Sequence, residues 1–138
     1  MKKLIYTLLI IIALTNNSFS AGDSNTTAKA SDYTKAKNLI NAAKKYEKKG
    51  KIDKAQERYA KAQKLLLKSN EIKPLQADTL NYLGFTTRKL GDYEGGEKFY
   101  LQGLEIEPNH NGINEYLGEL YVVTNRIDMA KERLEVLK

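Results

Sequence analysis

The chain has no cysteine and no tryptophan, and only one histidine and two prolines in 138 residues. Without cysteine there is no disulfide, no thiolate ligand and no thiol nucleophile, and the absence carries no information about redox compartment. The lone histidine, His110, lies in Pro108-Asn109-His110-Asn111-Gly112 with no paired acid at ligand spacing, so it reads as a turn residue rather than a metal ligand. Serines are few and lack His/Asp partners, which leaves nucleophilic hydrolysis unsupported. No phosphate-cradling glycine loop follows a strand. The expectation is therefore a protein with no catalytic residue, no metal and no cofactor, and not an enzyme.

Long apolar runs are also scarce. The one present, Leu4 to Leu14, follows Lys2 and Lys3 and precedes polar and small residues, the layout of a secretory signal peptide. At about 1.5 Å per residue it falls short of a hydrocarbon layer about 30 Å thick. Ser18-Phe19-Ser20 places small residues where a signal peptidase reads, so residues 1–20 are expected to be removed before Ala21. No cysteine follows to carry a lipid. Residues 21–31, AGDSNTTAKAS, have no apolar period and read as a flexible polar leader in which the sequon Asn25-Thr26-Thr27 is a chance match. The expected location is the periplasm of a Gram-negative bacterium.

From residue 32 to 138 the sequence repeats itself. Gly50-Lys51-Ile52-Asp53-Lys54-Ala55, Gly91-Asp92-Tyr93-Glu94-Gly95-Gly96 and Asn125-Arg126-Ile127-Asp128-Met129-Ala130 share one pattern, and the second and third are 34 residues apart. Gly and Asn tolerate the left-handed backbone that ends a helix, and an acid three residues later meets the positive end of the next one. Each segment thus predicts a helix-turn-helix. Leu80, Leu83, Gly84 and Leu90, then Gly96, Phe99, Tyr100, Gly103 and Leu104, recur at helical spacing. A glycine inside a helix costs about 1 kcal/mol relative to alanine, so Gly84, Gly96 and Gly103 imply close approach of neighbouring helices.

Leu80, Leu83, Gly84, Gly96, Tyr100, Gly103 and Pro108 occupy positions that resemble the signature of the tetratricopeptide repeat. The first repeat matches it through Leu39, Ala43, Tyr46, Ala55, Tyr59 and Ala62, the third through Leu117, Gly118, Tyr121, Ala130 and Leu134. The stretch from Leu75 to Val123 also resembles small exported tetratricopeptide proteins of Gram-negative bacteria. This resemblance implies an all-α fold, a right-handed superhelix of about three antiparallel hairpins spanning 36–76, 77–110 and 111–138, and a protein or peptide partner held in a concave groove lined by the first helices. Carried over by column, the groove residues are Lys37, Asn41, Lys44, Lys48, Asn81, Tyr82, Phe85, Arg88, Lys89, Glu115, Tyr116 and Glu119. Phe85, Tyr82 and Tyr116 would offer apolar contact inside a polar rim from Lys44 and Arg88, with the two tyrosines open to a core role as well. Ile40 and Lys44 stand where the Lys/Asn pair of a carboxylate clamp would begin, which argues against a clamp of that kind.

Two departures stand out. The first repeat spans 41 residues instead of 34, and the excess lies before Pro74, which predicts a second helix about two turns longer with one apolar face of Tyr59, Ala62, Leu65, Leu66 and Ile72, projecting beyond the stack. At the other end no capping element follows the third hairpin, so Met129, Leu134, Val136 and Leu137 are expected to face a missing neighbour. Truncation, a homodimer contact and a partner surface all fit that pattern.

Charge is divided along the chain. Residues 29–73 carry 14 Lys/Arg against 5 Asp/Glu, whereas residues 74–138 carry 7 against 11. The basic first hairpin supports a rival reading, a cationic envelope module binding an anionic polymer or membrane surface through Lys44, Lys45, Lys48, Lys49 and Lys51. Nucleic acid is not an expected partner, because no base-contact motif accompanies the charge.

Overall fold

The computed structural model describes residues 31–138; the expected signal peptide, cleavage site, most of the leader and the sequon lie outside the described residues. Six helices follow one another: α1 (Asp32–Lys48), α2 (Ile52–Ile72), α3 (Ala77–Lys89), α4 (Tyr93–Ile106), α5 (Asn111–Val123) and α6 (Ile127–Val136). They pack most extensively as α1 with α2, α3 with α4 and α5 with α6, giving three successive hairpins in an all-α fold.

Each hairpin turns in three residues by the same hydrogen bonds. The N–H groups of Gly50, Gly91 and Asn125 donate to the carbonyls of Glu47, Arg88 and Val122, and those of Lys51, Asp92 and Arg126 donate to Tyr46, Thr87 and Tyr121. This paired closure satisfies two carbonyls that the helix end would otherwise leave free, and it requires a left-handed residue at its centre. Gly50, Gly91 and Asn125 supply it with φ of 68°, 97° and 59°.

The small residues sit at the seams, as their cost in a helix implied. A Cβ on Gly84 would lie 2.5 Å from the fully buried ring of Tyr100, and one on Gly96 3.0 Å from the carbonyl oxygen of Gly84. A Cβ on Gly103 would collide with Ile113 Cδ1, so this glycine admits α5 against α4. Alanines perform the same task in the first hairpin, where Ala36, Ala43, Ala55 and Ala62 are fully buried.

The core has two centres. Ile40, Tyr59, Leu66, Leu80, Leu83 and Phe85 form one, and Tyr100, Ile113, Leu117, Leu120 and Tyr121 the other, with Tyr116 packed against both. Polar ties join the hairpins across these centres. Arg126, at the start of α6, donates from both Nη atoms to the Glu97 carboxylate on α4 at 2.8 and 2.7 Å, and its guanidinium stacks 4.5 Å from the Tyr121 ring. Such a forked pair is stronger than a single neutral hydrogen bond, and it holds the Glu97 carboxyl below its ordinary range.

The lengthened α2 has 21 residues against 14 in α4, but its extra turns do not project freely. α1 is also longer than its counterparts, 17 residues against 13 in α3 and α5, and is capped by Ser31, whose Oγ accepts from Thr34 N. The two extensions meet: Lys68 Nζ lies 3.1 Å from Asp32 Oδ2, and Leu66 is fully buried. The continuous apolar face expected on α2 therefore stops short, with Ile72 74% exposed. Between α2 and α3, Leu75 takes a left-handed backbone, φ 57°, at an exposed position where no sequence signal announces it.

Candidate functional site

The backbone of α1 approaches that of α3, and that of α3 approaches that of α5, whereas among the described residues the backbones of α2 and α4, and of α4 and α6, stay farther apart. The stack is thus tighter along its first helices, which places α1, α3 and α5 on one inner face. Residues at spacings of three and four share a helix face, so Lys37, Asn41, Lys44 and Lys48 form one stripe along α1.

The centre of this face is closed by side chains. Lys44 reaches from α1 to α5, donating to Tyr116 Oη at 3.0 Å, and its ammonium lies 4.6 Å above the Phe85 ring. Phe85 packs on Tyr116 at 4.8 Å between ring centres and on Tyr59 at 5.7 Å. Arg88 donates to Glu119 at 2.7 Å, and Lys89 donates to Glu47 at 3.0 Å while Glu47 also accepts the Tyr59 hydroxyl at 2.9 Å. Burial, reinforced by the Glu47 carboxylate, raises the Tyr59 hydroxyl well above the usual phenol range.

Three of the expected groove residues are buried. Phe85 is only 2% exposed and belongs to the core rather than to an open apolar contact. Arg88 is buried and its charge is committed to Glu119, so it does not form a free rim. Asn81 is buried beside Gly112, and its Oδ1 accepts no hydrogen bond. Tyr82 and Tyr116 are half-buried, each lending one side to the core and keeping an accessible edge. Lys37, Asn41, Lys48 and Glu115 are exposed, with no side-chain hydrogen bond or ion pair among the described residues.

At the open end of the face the geometry is different. The Tyr33 and Tyr82 rings meet edge to face, centres 6.0 Å apart, and the Lys37 ammonium lies 5.5 Å from one and 5.8 Å from the other. Tyr33 was not among the residues that column matching selected. Its position four residues before Lys37, on the same helix face, is the signal that could have found it. Burial, helped by the nearby Asp78 carboxylate, pushes its hydroxyl up to about 12, so the ring is a neutral hydrogen-bonding platform through the physiological range.

His110 also does more than occupy a turn. Its Nδ1 accepts from Ile113 N at 3.1 Å as the N-cap of α5, and its Nε2 lies 3.1 Å from Asp78 Oδ1 on α3. The accepting Nδ1 requires the proton on Nε2 in the neutral ring, so His110 donates to Asp78 and joins the second hairpin to the third. No group of three His, Asp or Glu side chains among the described residues is placed to hold a metal ion. No helix there is long and apolar enough to cross a membrane.

These hairpins, with their shared turns, small-residue seams and inner face of first helices, settle the architecture. The fold is tetratricopeptide-like. No family model matches the chain, and no curated protein matches it. Among solved structures it is similar to the second TPR of Spaghetti (RPAP3), described as bound to the HSP90 peptide SRMEEVD, with 17% identity, a TM-score of 0.46, and coverage of 76% of this chain and 91% of that one.

Proposed function

We propose that the chain is a non-catalytic protein-interaction module of the cell envelope, exported by residues 1–20, that takes a peptide segment of a partner protein along the inner face of α1, α3 and α5. The observation that carries this reading is the exposed Lys37 beside the Tyr33–Tyr82 pair, continued by Asn41 and ending at Lys44 and Tyr116. Rigid aromatic edges supply contact area with little entropy to lose, and the adjoining N–H donors suit the carbonyls of an extended chain. With Phe85 and Arg88 in the interior, the segment lies over Tyr82 and Lys37 rather than over the centre of the face.

Affinity capture tests it. Lys37→Ala combined with Tyr82→Ala removes accessible atoms, so the double variant is expected to keep its helical circular dichroism and to lose partner capture by about tenfold or more, consistent with loss of a central aromatic anchor. Undiminished capture would exclude the face.

The rival reading rests on the exposed bases at the α1–α2 turn, Lys45, Lys48, Lys49 and Lys51, which form no ion pair among the described residues. Binding to an anionic polymer or membrane through them would collapse as salt rises, because exposed charges are screened beyond about 8 Å at physiological ionic strength. Capture centred on Tyr82 is expected to persist.

A further inference from the structure

Within the stack, each hairpin receives the first helix of the next: α3 packs on the first hairpin and α5 on the second. The corresponding groove of the third hairpin, between α5 and α6, faces no helix among the described residues. It has a volume of about 380 Å³, and its walls are Gly118 and Val122 from α5 with Ile127, Ala130 and Leu134 from α6 and Leu137 at its C-cap. Val122 and Leu134 are 55% and 54% exposed, and α6 has no buried residue.

Shape and charge together select an occupant. The groove accepts a helix with an apolar stripe, and α6 with its C-cap carries one, since Ile127, Ala130, Leu134 and Leu137 recur at helical spacing. These are the residues that line the groove, so a two-fold operation presents ridge to groove and groove to ridge. The rim has an acid on the α5 side, Glu115, which forms no ion pair among the described residues, and a base on the α6 side, Lys131. Lys131 pairs only with Asp128 on its own helix, both highly exposed, a contact of little energy that is readily exchanged. Arg133, the other base, is turned inward to Asn114 Oδ1 at 3.3 Å. A head-to-tail arrangement would instead bring the outer face of α1 to the groove. That helix carries no exposed large apolar side chain, so it does not match.

We propose that the α5–α6 face is the contact of a two-fold homodimer in which the α6 helices cross antiparallel near Leu134, each Glu115 facing Lys131 of the second copy. The surface shares Glu115 on α5 with the inner face but includes no residue of α1 or α3, so dimerisation leaves Tyr33, Lys37 and Tyr82 open in both copies.

Sedimentation equilibrium of the purified chain over a wide concentration range tests this. The wild type is expected to show a reversible monomer–dimer equilibrium. Leu134→Glu, and independently Val122→Glu, are expected to abolish the dimer with helical circular dichroism retained. Glu115→Lys and Lys131→Glu should each weaken it by about tenfold, the scale of one charge-pair coupling, and the double reversal Glu115→Lys/Lys131→Glu should restore most of the loss. A chain that is monomeric throughout, a dimer indifferent to both glutamates, or a double reversal as weak as the singles would overturn the assignment.

Discussion

Single residues determine how far the inner face can be altered without unfolding the chain. Phe85 and Arg88 resemble groove residues by column, yet both are buried, and Phe85→Ala is expected to destabilise by about 3–5 kcal/mol in chemical denaturation, the cost of deleting a core aromatic. Loss of binding in such a variant would report unfolding. Gly84 is the sharpest case at a seam, because an added methyl would meet the Tyr100 ring on a side with no room. Gly84→Ala should cost about 1–3 kcal/mol from overpacking despite alanine's better helix propensity, and in a Tyr100→Ala background the same change should be neutral or stabilising. Equal costs in both backgrounds would mean that the ring is not the obstacle. Leu75 offers the opposite effect: its left-handed backbone strains an L-residue by about 1–2 kcal/mol, and its side chain is 66% exposed. Leu75→Gly is therefore expected to raise the denaturation midpoint, and a lower midpoint would contradict the strain.

At the scale of helices and turns, most of the architecture was legible because residue type and backbone demand coincide. Gly50, Gly91 and Asn125 are the kinds of residue that a left-handed closure needs, and each one makes it. The glycines of the middle hairpin announced a seam because a helix tolerates them only for a reason. What stayed hidden has physical causes too. Phe85 follows Gly84 directly, and one step on a helix turns about 100°, so seam and groove columns border each other and column matching alone does not say which side a ring takes. The Lys44–Tyr116 hydrogen bond spans 72 residues and leaves no local trace. His110 was hidden as a cap because a histidine seldom takes that role and its acceptor nitrogen is visible only in place. The added length of α2 is legible in the spacing, but the turn of α1 that covers its end arises from Ser31 and Asp32, upstream of the repeat pattern.

For the molecule as a whole, ionisation and surface chemistry determine behaviour. The Glu97 carboxyl is lowered chiefly by Arg126, so the stability it contributes is fully present above the ordinary glutamate range and is lost as pH falls through its depressed value. Glu97→Gln should flatten the acid limb of a stability–pH profile below about pH 4.5 and cost about 1 kcal/mol at neutral pH. An unchanged acid limb would remove Glu97 as a link between the second and third hairpins. At the alkaline end, Tyr33, Tyr59 and Tyr100 are all raised chiefly by burial. Their contribution is intact below the ordinary phenol value and declines above it, so stability is expected to hold up to about pH 10 and then fall.

The basic first hairpin and the more acidic remainder give the chain a charge polarity, which on the proposed reading steers encounter with the partner. On the proposed reading, short-range contact at Tyr82 then holds the partner. A photo-crosslinking residue placed at Tyr82, and in a parallel protein at exposed Lys61 on α2, measures this most directly in living cells. The expected result is a discrete protein adduct from position 82 and none from position 61; equal labelling from both, or adducts from 61 alone, would contradict the inner face as the binding surface.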